Sequence, residues 1–420
     1  MSDAKHLREI SPQQWKSGGA AWLGWMFDGL DMHLYTLVAL TFVATLIGSG
    51  AVSGDPEVKE KAAWIQAAFL FGWAVGGGFF GRIGDRLGRR RALMLTILTY
   101  SCFTGLSFFA ETWWQLMIFR FLAALGIGGE WAVGASLLSE TWPKAWRPWL
   151  AAVLQTGVNV GVMLATFAGM MLAGFDDRYV FLVGLVPALI TLWIRRSVPE
   201  TEAWHEAQKA IAADAKGAPG IVDLFRGRVL RISLLTLAVC GLGLSAHWAF
   251  MFWHLNHLKA LPEISTWTPK ELKNLGNSAL FVLMVSSVIG NFAAGTLAWF
   301  IGYRRAIVML FVLYGGMMLW AYSVPRPLAE MWPFLVGIGM CQGVFALFTM
   351  YLPPLFPTLL RTTGAGFCYN FGRIAAATGT VVFLYAAPSG ELRLVLLYAG
   401  MFFVPAAVVA WFLPEHNAEN

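Results

Sequence analysis

The residues of this chain best placed to do chemistry are charged side chains set inside long apolar stretches. One stretch contains Trp25-Met-Phe-Asp28-Gly29-Leu-Asp31-Met-His33. On a helix, carboxylates three residues apart share a face, and at 1.5 Å per residue these lie roughly 13–18 Å from the polar end of their stretch. Another stretch begins at Arg120 and reads Gly126-Ile-Gly128-Gly129-Glu130-Trp131, which puts Glu130 roughly 15 Å deep. Three acids at one depth in an apolar medium cannot all stay ionised. Asp28, Asp31 and Glu130 therefore predict a protonatable site, with a structural ion pair to Arg120 as the alternative; Arg120 is the expected counter-charge.

A second basic group sits deep in Gly366-Phe-Cys-Tyr369-Asn370-Phe-Gly372-Arg373. A guanidinium can grip a carboxylate through two parallel hydrogen bonds, so Arg373 predicts an anchor for an anionic ligand, the alternative being a pair with Asp31 or Glu130. Gln155, Asn159, His247, His254, Gln342, Tyr369 and Asn370 are further polar candidates for a binding cavity, although a lone polar group in an apolar helix is often only an interhelical hydrogen bond. Arg120 joins this binding set. The four cysteines stand singly, without metal-ligand spacing, and read as small core residues. No metal or cofactor is expected.

The elements that must position these groups follow from composition. Of 420 residues, 58% are hydrophobic and only 13% charged, with a mean hydropathy of +0.62; a soluble domain carries about twice that charge. Apolar blocks long enough to cross a bilayer fall at about 19–48, 62–83, 92–110, 113–139, 148–173, 179–197, 230–258, 274–301, 306–324, 331–356, 362–387 and 392–413. The fold class is an all-α membrane protein with twelve transmembrane helices in two pseudo-symmetric six-helix bundles, 1–197 and 230–420, joined by a linker at 198–229. Glu202–Ala215 in that linker can form an interfacial helix or stay a solvated link. The polar first eighteen residues do not read as a signal peptide.

With the N-terminus cytoplasmic, 20 of the 30 Lys and Arg residues fall on the cytoplasmic side, as the positive-inside rule requires. That places both termini in the cytoplasm. The net charge of +6 is then topological, and no nucleic-acid partner is expected. The absence of Asn-x-Ser/Thr points to a bacterial inner membrane.

A shift of 214 residues superposes Gly81 on Gly295, Gly88 on Gly302, Arg90-Arg91-Ala92 on Arg304-Arg305-Ala306, Gly129 on Gly343, Pro143 on Pro357 and Arg147 on Arg361. Such a duplication is the signature of carriers with a substrate site between two repeats. The loop after the second block reads Gly81-Arg-Ile-Gly84-Asp85-Arg86-Leu-Gly88-Arg89-Arg90-Arg91. Its glycines permit a tight turn, and Asp85 can accept from first-turn amides of a neighbouring helix or from an arginine. Gly81, Asp85, Arg86, Gly88, Arg89 and Arg90 thus form a charge clamp that can differ between conformations. In the second half Trp299 stands where the aspartate stood.

This loop resembles the conserved loop of the major facilitator superfamily. Together with Asp28-Gly-Leu-Asp31, Gly128-Gly-Glu130-Trp131, Glu140-Thr-Trp-Pro143-Lys-Ala-Trp-Arg147 and the stretch from Tyr179 to Trp204, the chain resembles the sialate:proton symporter family, with the aromatic acid:proton and metabolite:proton symporters next. The resemblance implies alternating-access symport of a small organic acid, such as a sialic, aromatic or hydroxy acid, with protons, by a monomer in the lipid bilayer. A proton-coupled antiporter exporting a drug or metabolite is the alternative within transport. A non-transporting sensor with a carrier fold is the alternative of another class. No nucleophile–base pair, metal spacing or phosphate loop points to an enzyme.

Overall fold

A computed structural model describes residues 7–48, 50–52, 55–172, 175–213, 219–386 and 391–415. The expected end of the linker helix, Ala215, lies outside the described residues. Every element among them is helical: α1 (Pro12–Ile47), α2 (Pro56–Leu87), α3 (Arg89–Ser107), α4 (Trp113–Thr141), α5 (Arg147–Met171), α6 (Val180–Val183), α7 (Val186–Ser197), α8 (Glu202–Ala213), α9 (Gly227–Lys259), α10 (Pro269–Ile301), α11 (Tyr303–Tyr322), α12 (Leu328–Cys341), α13 (Gly343–Tyr351), α14 (Arg361–Ala386), α15 (Leu392–Met401) and α16 (Phe403–Trp411). Three pairs, α6 with α7, α12 with α13 and α15 with α16, are single apolar blocks interrupted by a short break. Each of the twelve blocks in the sequence therefore carries a helix. Among the described residues, eight stretches are by themselves long and apolar enough to span a bilayer, and α1, bent by 51° between Pro12–Tyr35 and Val38–Ile47, makes a ninth.

Local chemistry sets the helix ends. Ser11 and Gln14 form a capping box at the start of α1, Thr112 and Gln115 one at α4, and Thr268 and Glu271 one at α10, each satisfying amides that have no intrahelical partner. The carboxyl pKa of the exposed Glu271 is lowered by the amide and hydroxyl of Thr268. The α2–α3 and α10–α11 junctions turn on Gly88 (φ 96°) and Gly302 (φ 84°), conformations that side chains rarely tolerate. These two glycines are mates in the 214-residue repeat.

The chain divides into two compact units. Unit 1 comprises Met1–Lys144, Leu154–Val229 and Phe356–Asn370; unit 2 comprises Ala145–Val153, Leu230–Leu355 and Phe371–Asn420. In unit 1, α4 is the central helix, and its small residues permit backbone contact on two sides. A Cβ at Gly128 would overlap the Trp73 carbonyl of α2, and one at Gly126 would lie 2.6 Å from the Thr96 carbonyl and 2.8 Å from the Tyr100 amide of α3. Close approach of this kind is what holds helices together in lipid, where apolar side chains gain nothing from leaving the solvent. The linker helix α8 packs on unit 1, with Trp204 Nε1 donating to the Asp85 carbonyl at 2.8 Å. In unit 2, α10 lies on α12 and α13 through Gly290, Gly339 and Gly343. Outward-facing Phe71, Phe79, Leu189, Phe300 and Trp320 are more than half exposed, as suits side chains that lipid would cover.

Candidate functional site

Two clusters in unit 1 and one in unit 2 gather the charged residues named from sequence. In the first, α1, α3 and α4 meet. Arg120 approaches Asp31 with Nη2 3.1 Å from Oδ2 and Nη1 3.3 Å from Oδ1. Thr104 on α3 donates to the same Asp31 carboxylate, and Arg120 Nη1 donates to the Thr104 hydroxyl at 3.2 Å. The guanidinium carbon stands 4.7 Å from the centroid of Phe69 and 5.7 Å from that of Tyr35. Asp31 and Arg120 are both fully buried, so each supplies the charge the other would otherwise lack.

Glu130, also fully buried, has a different environment. Neither carboxylate oxygen accepts a hydrogen bond of good geometry among the described residues. Its neighbours are Asp28 on α1 and the Tyr100 hydroxyl on α3, and a Cβ at Gly24 would overlap its Oε1. Gly24 is thus the gap in α1 into which the carboxyl group projects. Tyr100 was not singled out in the sequence. Gly126, one turn before Glu130, seats it: with no side chain there, α3 comes close enough for the phenol to reach along α4.

The second cluster surrounds the glycine-rich loop. Asp85 Oδ1 accepts from the Thr362 amide (3.2 Å) and Oδ2 from the Thr363 amide (2.9 Å) and hydroxyl (2.6 Å). These are first-turn donors of α14 that no carbonyl of their own helix can satisfy. A Cβ at Gly81 would come within 2.8 Å of the Thr362 carbonyl, so only glycine lets α2 approach so closely. Arg89, with no exposed surface, bridges Asp85 (2.9 Å), Glu140 (2.8 Å) and the Thr358 carbonyl (2.6 Å). Glu140 also accepts from Arg361 at 2.9 Å and from the Thr201 hydroxyl at 2.6 Å. Glu200 accepts from the Arg89 amide at 2.8 Å and the Arg90 amide at 3.2 Å, capping α3 beside Gly88. Arg86 is exposed and Arg90 half-buried. Sequence reasoning assigned no site role to Glu140, Glu200, Arg361 or the Thr362-Thr363 pair. The signal available was Glu140 and Arg361 lying in the quoted motif and the repeat.

Four remaining candidates lie in unit 1. Tyr369 stacks flat on Trp131, with centroids 4.1 Å apart and planes within 6°. Asn370 is fully buried and donates to the carbonyls of Gly128 (3.2 Å) and Gly366 (3.0 Å), an interhelical bond between α14 and α4. Asn159 is buried and Gln155 half-buried on α5.

In unit 2, Arg373 is buried and its guanidinium carbon lies 5.9 Å from the Trp248 centroid. His247 Nδ1 is 3.1 Å from the Tyr314 hydroxyl, and its ring centroid is 4.7 Å from that of Phe345. Gln342, at the break between α12 and α13, donates to the Met251 sulfur at 3.6 Å. His254 turns away into the core: it stacks on Phe250 and its Nδ1 contacts the Phe250 carbonyl at 2.8 Å. Among the described residues no group of His, Cys, Asp and Glu is placed to hold a metal ion.

The chain is similar to known proteins. The family described as "Sugar (and other) transporter" matches residues 37–218. The sialic acid transporter NanX of Escherichia coli (strain K12) is 28% identical over 395 residues, covering 90% of this chain and 88% of that protein. A probable 4-methylmuconolactone transporter of Cupriavidus pinatubonensis is 31% identical over 388 residues, covering 89% of this chain and 83% of that protein. The structure of the proton:xylose symporter XylE of the major facilitator superfamily, solved with 6-bromo-6-deoxy-D-glucose, matches with a TM-score of 0.75 at 16% identity, covering 97% of this chain and 98% of that one.

Proposed function

We propose that this chain, which belongs to the major facilitator superfamily of membrane transporters, carries a small organic carboxylate across the membrane in symport with protons. The relatives support the substrate class, since one is named for sialic acid and another for 4-methylmuconolactone. The observation that carries the coupling is a division of roles among the buried acids. Asp31 is matched by Arg120. Glu130 faces another carboxyl group and a phenol instead of a cation. A bare charge so placed costs several kcal/mol, and this makes Glu130, with Asp28 beside it, the place where the carried proton binds. Arg120 balances Asp31, and we read the buried Arg373, beside Trp248, as the substrate's anchor, because a guanidinium can grip a carboxylate through two parallel bonds.

The Asp85 loop supplies the conformational lock. Its carboxylate ties the first turn of α14 to the end of α2, and Arg89, Glu140 and Arg361 surround the tie with alternating charge. Release of that tie belongs to the other state of the alternating-access cycle, built on bundles 1–197 and 230–420. We place the protein in a bacterial inner membrane, as a monomer with both termini cytoplasmic.

Reconstitution tests the reading. Proteoliposomes with an imposed inward proton gradient should accumulate a labelled organic acid while their lumen acidifies. Glu130→Gln should abolish gradient-driven accumulation and retain exchange of labelled for unlabelled substrate. Solute driven outward by entering protons, or full accumulation by Glu130→Gln, would overturn it.

A further inference from the structure

His33 follows Asp31 by two residues on α1, and at 3.6 residues per turn the two side chains leave opposite sides of the helix. Asp31 turns inward to Arg120 of α4 and Thr104 of α3, so His33 looks away from those helices. Its Nδ1 lies 2.9 Å from the Gly29 carbonyl one turn back. A carbonyl can only accept, so Nδ1 carries the hydrogen, and the neutral ring keeps its lone pair on Nε2. That Nε2 has no hydrogen-bond partner among the described residues and keeps an open surface, whereas Nε2 of His254 is sealed in without a partner. His33 lies deep in the helix packing yet is only half-buried, as suits a side chain lining a crevice. An open imidazole nitrogen is costly against hydrocarbon, and such a group faces a wet path instead.

The 214-residue repeat gives an independent reason. It superposes His33 on His247 of α9, whereas Asp31 falls on Ser245, Arg120 on Phe334 and Glu130 on Val344. The charges of the first half were not kept in the second, and the imidazole was. His247 is held in the same manner: Nδ1 stands 3.1 Å from the Tyr314 hydroxyl, the ring is half-buried, and Nε2 has no hydrogen-bond partner among the described residues. Each half therefore anchors a ring through one nitrogen and presents the other, on helices that the repeat makes equivalent.

We propose that His33 is a substrate contact of unit 1, its Nε2 accepting a hydrogen bond from a hydroxyl, N–H or protonated carboxyl group of the transported acid. This rests on the reading above that the chain carries a small organic carboxylate.

Two measurements on the purified full-length protein test it. Diethyl pyrocarbonate, which acylates open imidazole nitrogens, should modify His33 and His247 and spare His254, read site by site by mass spectrometry. The probes are N-acetylneuraminate, benzoate and cis,cis-muconate. A probe that raises the melting temperature should, at ten times its Kd, slow the modification of His33 by about ten-fold. A His33 that does not react, or that reacts at the same rate with a probe bound, would overturn the inference. Variants then separate contact from framework, because a glutamine amide stands where Nε2 stood and an asparagine amide where Nδ1 stood. His33→Gln should keep the affinity for that probe within about three-fold, while His33→Asn, which retains a donor for Gly29 and loses Nε2, should weaken it by about ten-fold. The reverse order, or equal effects, would mean that the ring only braces α1 and would overturn the inference. If the variants do not fold, the labelling of the wild type decides. Should none of the three acids bind, the carboxylate reading fails and takes the inference with it; binding that ignores His33 removes the inference alone.

Discussion

Replacing Asp85 with asparagine keeps the side chain's shape but removes its charge from a buried position where it accepts four hydrogen bonds: two amides and a hydroxyl of α14, and one arginine N–H. Asparagine has a single acceptor oxygen, so two of the four donors would meet an NH2 group. At about 1.5–3 kcal/mol for each bond to a charged partner, the loss is about 3–6 kcal/mol, comparable to stranding one member of a buried ion pair. Converted at 1.4 kcal/mol per decade, the tie opens on the order of a hundred-fold or more often. Hydrogen exchange read by mass spectrometry on a peptide spanning 361–366 measures this directly, because the Thr362 and Thr363 amides bond to Asp85 and not to their own helix. Their exchange should accelerate by about a hundred-fold in Asp85→Asn, while a peptide within 113–125 of α4 stays unchanged. Exchange at 362–363 within three-fold of the wild type, in a folded variant, would refute the claim that this carboxylate holds the end of α14.

Four further outcomes follow from the same contacts. Gly24→Ala should fold, because its Cβ meets only the mobile end of Glu130, yet lose gradient-driven accumulation by ten-fold or more, whereas Gly161→Ala, whose Cβ would overlap the Met26 backbone, should cost several kcal/mol and show as poor yield in size-exclusion chromatography. Asp31→Asn strands the buried Arg120 and should lower thermal stability by about 3–5 kcal/mol, with the double variant Asp31→Asn/Arg120→Met recovering part of it, read by a melting curve. Tyr100→Phe removes the phenol hydroxyl facing Glu130 and should shift the pH profile of uptake while leaving substrate exchange intact. Glu415→Gln breaks its pair with Arg304, whose two side chains are 21% and 26% exposed; a cost of no more than about 1 kcal/mol is expected, within the error of most melting curves.

The helices were legible because their signals are local. Twelve apolar blocks, polar breaks between them and a constant offset of 214 residues need no tertiary information, and Gly88 and Gly302 announce their unusual turns by being glycine at matched positions. The Asp85 loop was legible for the same reason: a short string of glycine, aspartate and arginine states what it can bond. Its partners were not, since Thr362 and Thr363 lie 277 and 278 residues away and carry no charge to mark them.

By itself, then, the sequence determined a membrane-embedded helical repeat and the identity of the few charges buried in it, because hydrophobicity and desolvation act on each residue regardless of its neighbours. Which charge answers which was left to the tertiary structure. Asp28 and Asp31 are three residues apart on one helix, yet Asp31 meets Arg120 and Thr104 while Asp28 lies by Glu130. Arg373 meets an indole from another helix that hydropathy alone could not place. Electrostatic pairing and stacking act over a few ångströms, and in a helical membrane protein only the crossing points of the helices, here set largely by glycines at Gly126, Gly128 and Gly372, bring such groups within reach.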